Sequence, residues 1–300
     1  MTIDPPPLTP EEIKELRAKW ESLTLKDNYL FGRVLEKSPK FCKWLLSAIL
    51  KMSVKEIVYP QREKTLGTRR EGRGVRLDVY VEERGKRRVF DVEMQVAEDA
   101  NLLLRVRYYQ STIDADALAR GKDFDELPEV YIIFICDFDP FDKGRALYTL
   151  RHLCLEDSTV HVDYKTTHIF INIHGEEEGL SPKLKDFLNF IKGTPPKGAM
   201  LKEAAKMAEE LRLTSGEWLD YIRRTQEARY QAKMAARKAA KEAKEEGRQE
   251  GRQEGLQKGR FSAVLANIKS IMKKMQMTAQ EAMDCLDVPA SDRPALAAMI

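Results

Sequence analysis

Apolar residues recur three or four positions apart through residues 11 to 52. Phe31, Val34, Leu35, Leu45, Leu46 and Ile49 mark the helical faces, and Ser38-Pro39 predicts a break into two helices. Between Ile57 and about Val96 the period falls to two. Val75, Leu77, Val79 and Val81 alternate with Arg76, Asp78, Tyr80 and Glu82, as on a strand with one buried face. In the following run, Phe90, Val92, Met94 and Val96 form the apolar face, opposite Val89, Asp91, Glu93 and Gln95. Helical spacing returns over residues 100 to 119. Val130 to Cys136 is continuously β-branched and aromatic, as in a central strand covered on both faces, and a further strand begins at Thr167. A short closing helix is expected over residues 180 to 192. This order predicts an α/β fold in which helices cover a central sheet.

The pattern also divides the chain. Residues 1–20 read as a Pro-rich N-terminal tail and 21–194 as the folded domain, ending at the "KGTPPKG" linker. Residues 195–275 form a helical extension rich in Ala, Glu, Lys, Arg and Gln, and 276–300 a tail of two short helices separated by Val288-Pro289. Within the extension, "EGRQEGRQEGLQKG" places Gly247, Gly251, Gly255 and Gly259 four apart and is expected to interrupt the helix, since each Gly costs about 1 kcal/mol relative to Ala. The rows Glu246, Glu250, Glu254 and Arg248, Arg252 oppose a lone helix further. Two readings follow: close association with a helix of a second copy, giving a homo-oligomer, or a hinge before the tail.

Charge and cysteines narrow the setting. The chain carries 51 Lys plus Arg against 48 Asp plus Glu, a net charge of +3, so any nucleic-acid affinity must come from a local patch. The four cysteines form no CxxC pair, the start "MTIDPPPLTP" lacks a signal-peptide pattern, and no apolar run approaches the roughly 18 residues of a membrane span. A cytoplasmic protein with reduced thiols and no membrane partner is expected.

Candidate chemistry sits on the two strands around "ERGKR". A two-residue turn at Gly85-Lys86 places Arg84 opposite Arg87 and Asp78 directly opposite Glu93. Like charges so opposed are destabilising unless a divalent cation lies between them, and Mg²⁺ accepts such carboxylates together with waters and phosphate oxygens. The other reading makes Asp78, Asp91 and Glu93 ordinary solvated charges on an open sheet face. Arg62, Lys64, Arg69, Arg70, Arg73 and Arg76 crowd a Gly-rich stretch ahead of the first of these strands, as a backbone-binding loop would. Arg105 and Arg107 on the following helix are either phosphate contacts or part of a solvated face, and Tyr109 reads as core. The four histidines have no finger-like spacing with cysteines and read as structural or surface residues.

The segments "LTLKDNYLFGRVLE", "VRLDVYVEERGKRRVFDVEMQ", "RVRYYQSTIDADALARGKDFDELPEVYIIFICDFDPF" and "DYKTTHIFINIHG" resemble, in order, the bacterial recombination-promoting nuclease and transposase family of the PD-(D/E)XK superfamily. The resemblance covers roughly residues 22 to 192. It implies a restriction-endonuclease-like central mixed sheet flanked by helices, with the C-terminal helical extension added. It makes Asp78 the metal-binding Asp and Glu93 the acid of the (D/E)XK element, and puts Gln95 in the position of the usual Lys. Gln cannot carry charge or deprotonate water, although its amide can orient one. An additional acid from the first helix would be Asp27 or Glu36, Asp27 being equally suited to an N-cap. The implied activity is a DNA endonuclease dependent on Mg²⁺ or Mn²⁺, with low sequence specificity, linked to recombination, mobile elements or defence. Its rivals are a catalytically weak DNA-binding or assembly protein that retains the nuclease fold and, ranked last, a strand-transfer enzyme.

Overall fold

A computed structural model describes residues 5–66, 75–83, 85, 87–118 and 123–300. Helices α1 (Pro10–Ser22), α2 (Asn28–Lys37) and α3 (Pro39–Leu50) precede strands β1 (Ile57–Leu66), β2 (Val75–Glu83) and β3 (Arg88–Gln95). Helix α4 (Leu102–Ala117) leads to β4 (Glu129–Cys136), β5 (Leu147–Leu150) and β6 (Thr166–Asn172), followed by α5 (Pro182–Ile191), α6 (Gly198–Leu213) and α7 (Ser215–Met275). Two short helices, α8 (Ala279–Cys285) and α9 (Arg293–Ala297), end the chain.

The helix break at Ser38-Pro39 forms as the sequence predicts: Ser38 Oγ accepts from Phe41 N–H, and Pro39 occupies the first turn of α3. The N-terminal region differs from expectation. The tail expected over residues 1–20 contains most of α1, because Thr9 and Glu12 form a capping box and the helix buries Leu16 and Trp20. Trp20 also donates its indole N–H to the Arg212 carbonyl at 2.9 Å.

The sheet is mixed, in the order β1-β2-β3-β4-β6-β5. Strands β1 to β3 are antiparallel neighbours, β3, β4 and β6 run parallel, and β5 returns antiparallel on β6. Each central strand sends alternate residues to two cores. On one face Val79, Val81, Phe90, Val92, Met94, Ile133 and Ile171 meet α2, α3, α5 and α6. On the other, Tyr80, Val89, Ile132, Phe134 and Phe170 meet Leu102, Val106 and Ile113 of α4. Burying one such Leu, Ile or Phe side chain contributes about 1.5–3 kcal/mol, so the two layers together fix the position of the central strands.

The chain divides into two compact units, Pro6–Arg224 and one that includes Thr225–Ile300. The first extends past the boundary expected at residue 194. The reason is that α6 buries Leu201, Ala204, Ala208 and Leu211, and the start of α7 adds Tyr221 to the same core. Arg33 of α2 further ties down α7 by donating to Glu217 through Nε at 2.6 Å. In the second unit, Ile268 of α7 packs with Ala282, Met283, Val288 and Leu296 from the α8–α9 tail. The glycine repeat does not interrupt α7 as expected: the helix is continuous from Ser215 to Met275. Four glycines weaken a helix without breaking it, and the Ala, Glu, Lys, Arg and Gln residues around them are strong helix formers.

Candidate functional site

The hairpin of β2 and β3 has the register that its turn predicts. The pairs Val79 with Val92 and Glu83 with Arg88 place Asp78 beside Glu93, and Gly85 takes the positive φ of 74° that the turn needs. The Asp78 backbone N–H donates to Glu93 Oε1 at 2.9 Å. What the strand pattern did not reveal is the cover over this face. Helix α4, in the crossover between the parallel strands β3 and β4, lies on the acidic side of β3. Asp91 is 0% exposed and Glu93 3%, so the reading of these acids as solvated charges is overturned. Val96, expected on the buried face, is instead 52% exposed because it lies past the end of β3.

Burial makes the acids costly as anions. It pushes Glu93 well above the usual carboxylate range, with the charges of Asp91 and Asp78 adding to the effect, while the Asp78 N–H and Arg105 oppose it. Asp91 is raised in the same way, by burial and then by Asp78. Neither Asp91 carboxylate oxygen meets an N–H or O–H donor among the described residues, and the Glu93 carboxyl stands close enough for the two acids to share a proton. Strand alternation places Asp91 on the face of Glu93 and Gln95 but assigns it no role of its own. The signal that pointed to it was the apolar helix between two strands that pair in parallel, since such a crossover must cover one sheet face.

Arg105 enters this site from α4. Its Nη1 donates to Asp99 Oδ2 at 2.9 Å and to Gln95 Oε1 at 3.1 Å, and its Nη2 donates to Tyr109 Oη at 3.2 Å. Nη2 also lies 3.8 Å from Glu93 Oε2. The guanidinium packs over the rings of Tyr109 and Phe134, so it is turned inward rather than presented on an outer helix face. Its hydrogen bond holds Asp99 below the usual carboxylate range. Burial, then the Glu93 charge, pushes the Tyr109 hydroxyl up to about 12, so it remains protonated. Gln95 is clamped at both ends of its amide, since its Nε2 donates to the Ala97 carbonyl at 2.7 Å. Arg107 is exposed on the same helix.

A second polar group forms at the carboxyl ends of the parallel strands. Asp137, whose N–H bonds to the Gln95 carbonyl at 2.9 Å, receives Lys26 Nζ at 2.8 Å and His174 Nε2 at 2.7 Å. Burial alone would raise Asp137, but Lys26 and His174 hold it below the usual range. No periodicity could show this convergence, because its members lie far apart in the chain.

The other candidates divide by position. Asp27 accepts from Tyr29 N–H as the N-cap of α2, and Glu36 is bridged to Arg33, so each has a local structural role. Arg69, Arg70 and Arg73 lie outside the described residues, and Arg76 is carried by β2 in register with Thr65 of β1. Among the described residues no group of three or more His, Cys, Asp or Glu side chains is placed to hold a metal ion. Also among them, no helix is long and apolar enough to cross a membrane.

A two-carboxylate site can still take a hard cation. Mg²⁺ is held by one or two carboxylates with waters and substrate phosphates, and the hairpin register with the Asp78 N–H bond to Glu93 Oε1 sets two carboxylate residues side by side. Asp78 and Glu93 therefore fit such an ion. Compared with known proteins, residues 28–246 match a family model described as PD-(D/E)XK nuclease family transposase. No curated protein and no solved structure matches the chain.

Proposed function

The chain belongs to the PD-(D/E)XK nuclease family transposases, nuclease-fold proteins linked to transposition, and from that premise we propose that it is a divalent-metal-dependent endonuclease acting on DNA. It hydrolyses phosphodiester bonds with little sequence specificity, in recombination, mobile-element movement or defence, and works in the cytoplasm. The observation that carries this reading is the juxtaposition of Asp78 and Glu93 across the hairpin, with buried Asp91 beside them.

In this mechanism Asp78 and Glu93 would hold the ion, Mg²⁺ or Mn²⁺. When bound, the ion supplies Lewis acidity and lowers the pKa of a water. The Asp78 N–H fixes one oxygen of Glu93, so the acid has a single orientation. Gln95 holds Arg105 at its Oε1, and in doing so keeps its own amide at the mouth of the site. Helix α4 and the rings of Tyr109 and Phe134 exclude water from the buried side of the acids. Lys26, at the strand ends, and Arg107, on the exposed face of α4, offer positive charge to the DNA backbone. Arg69, Arg70, Arg73 and Arg76 are proposed to extend that contact.

The glycine repeat is proposed as a contact with a second copy. A Cβ added at Gly247, Gly251, Gly255 or Gly259 would meet nothing within 4 Å in the chain, which leaves this stripe open to another helix. A second functional reading, a DNA-binding or assembly protein of weak activity, is favoured because no group of three or more His, Cys, Asp or Glu side chains among the described residues is placed to hold a metal ion. Supercoiled plasmid incubated with the purified protein in Mg²⁺, and separately in EDTA, tests between the two. Nicking only with Mg²⁺ supports the endonuclease, whereas intact plasmid beside a shifted protein–DNA band supports the binding protein.

A further inference from the structure

Arg105 has an arrangement that fold stability alone does not require. Four groups fix its guanidinium: Asp99, Gln95, the Tyr109 hydroxyl and the ring of Phe134. None of these is Glu93, yet Nη2 is held 3.8 Å from Glu93 Oε2. That separation is too long for a hydrogen bond, so the cation faces the acid without being neutralised by it at close range. Among the described residues, Arg105 is a cation that opposes the upward shift of both Asp91 and Glu93. A permanent charge held by these ties beside the acids, with Nη2 3.8 Å from Glu93 Oε2, suits an anionic oxygen that arrives at them from outside.

We propose that Arg105 is a catalytic residue that contacts a non-bridging oxygen of the scissile phosphodiester, rather than a general contact on the outer DNA backbone. This inference rests on the endonuclease reading. Its charge has two opposed consequences. It stabilises negative charge gathering on the phosphate, and it repels a divalent ion bound by Asp78 and Glu93. Because its ties to Asp99, Gln95 and Tyr109 are already formed, little rearrangement is needed as the phosphate charge develops.

Those opposed effects provide a test that a structural role would not pass. In R105Q, plasmid nicking should fall about 100-fold or more, the cost of removing one preorganised donor from a transition state. Mg²⁺ binding to the same protein, measured by calorimetry without DNA, should tighten by roughly tenfold, because a neighbouring positive charge has been removed. This direction survives displacement of a proton, since the ion carries twice its charge. R105K, which keeps the charge, should bind Mg²⁺ like the wild type and recover part of the nicking.

Weaker Mg²⁺ binding by a folded R105Q, or unchanged nicking, would overturn the proposal while leaving the endonuclease reading in place. If R105Q fails to fold, R105K decides: retained nicking supports the role, and nicking lost with unchanged Mg²⁺ binding overturns it. A wild-type protein that neither binds Mg²⁺ nor nicks plasmid would overturn the endonuclease reading itself, and this inference with it.

Discussion

Acidic residues crowd together in two parts of this molecule, with very different results. On β3, Asp91 and Glu93 are two positions apart and 0% and 3% exposed. On α7, Glu246, Glu250 and Glu254 stand four apart on an exposed helix. Along the solvated helix such repulsion costs only a few tenths of a kcal/mol per pair. In the interior the same kind of repulsion combines with lost hydration and drives both acids toward the protonated form. Crowding of charge is therefore a poor marker of a site, whereas crowding without solvent is a good one.

The contrast is sharpest if the acids paired across the hairpin are neutralised. Asp78→Asn and Glu93→Gln should each lower nicking by more than about 100-fold, exceeding what loss of an outer-shell group costs a metal site. The same substitutions should leave the melting temperature of the metal-free protein unchanged or higher, because a repulsion is removed. Initial nicking rates and thermal melts check both, and wild-type rates in either variant would remove the assignment.

Gln95 should have the next largest effect. Gln95→Ala removes the group that accepts from Arg105 Nη1 at 3.1 Å and is expected to slow nicking by about 10–100-fold. Gln95→Lys is expected to retain part of the rate. Equal rates for Ala and Gln would leave residue 95 without a role.

A pH series sharpens the same contrast. Asp91 and Glu93 have folded pKa values above their unfolded ones, so their contribution to stability is fully present below about pH 4 and is lost as pH rises through the folded values. The metal-free protein should therefore melt at progressively lower temperature as pH is raised through that interval, and Mg²⁺ should reduce the decline. Melts in EDTA that show no difference from Glu93→Gln across pH 5 to 8 would contradict this account.

The smallest effect is expected on the solvated side. Each of Gly247→Ala, Gly251→Ala, Gly255→Ala and Gly259→Ala should stabilise α7 in a monomer by up to about 1 kcal/mol. If the stripe meets a second copy, the same changes should weaken self-association. Light scattering at micromolar concentration on the full chain, and on one ending at Ala243, gives the deciding comparison, since identical monomer masses would exclude the dimer contact.

Much of this was legible along the chain. Alternation and the Gly85 turn fixed the β2–β3 register, because a one-residue slip would turn every apolar side chain to the wrong face. Ser38-Pro39 set a helix boundary, and the β-branched run from Val130 identified the central strand, since both depend on local sterics and side-chain shape. The sequence by itself thus determined the strands, their pairing at the hairpin and the approach of Asp78 to Glu93.

Tertiary structure alone decided what covers them. That α1 docks through Trp20, that α6 extends the first unit, and that Arg105 turns inward to Asp99, Gln95 and Tyr109 all depend on partners distant in sequence or on the packing of a helix face. A strand's period reports which residues share a face but not whether that face meets water. The answer for Asp91 and Glu93 came from α4, which the parallel pairing of β3 with β4 lays over them, and it is the resulting loss of hydration that raises their pKa values.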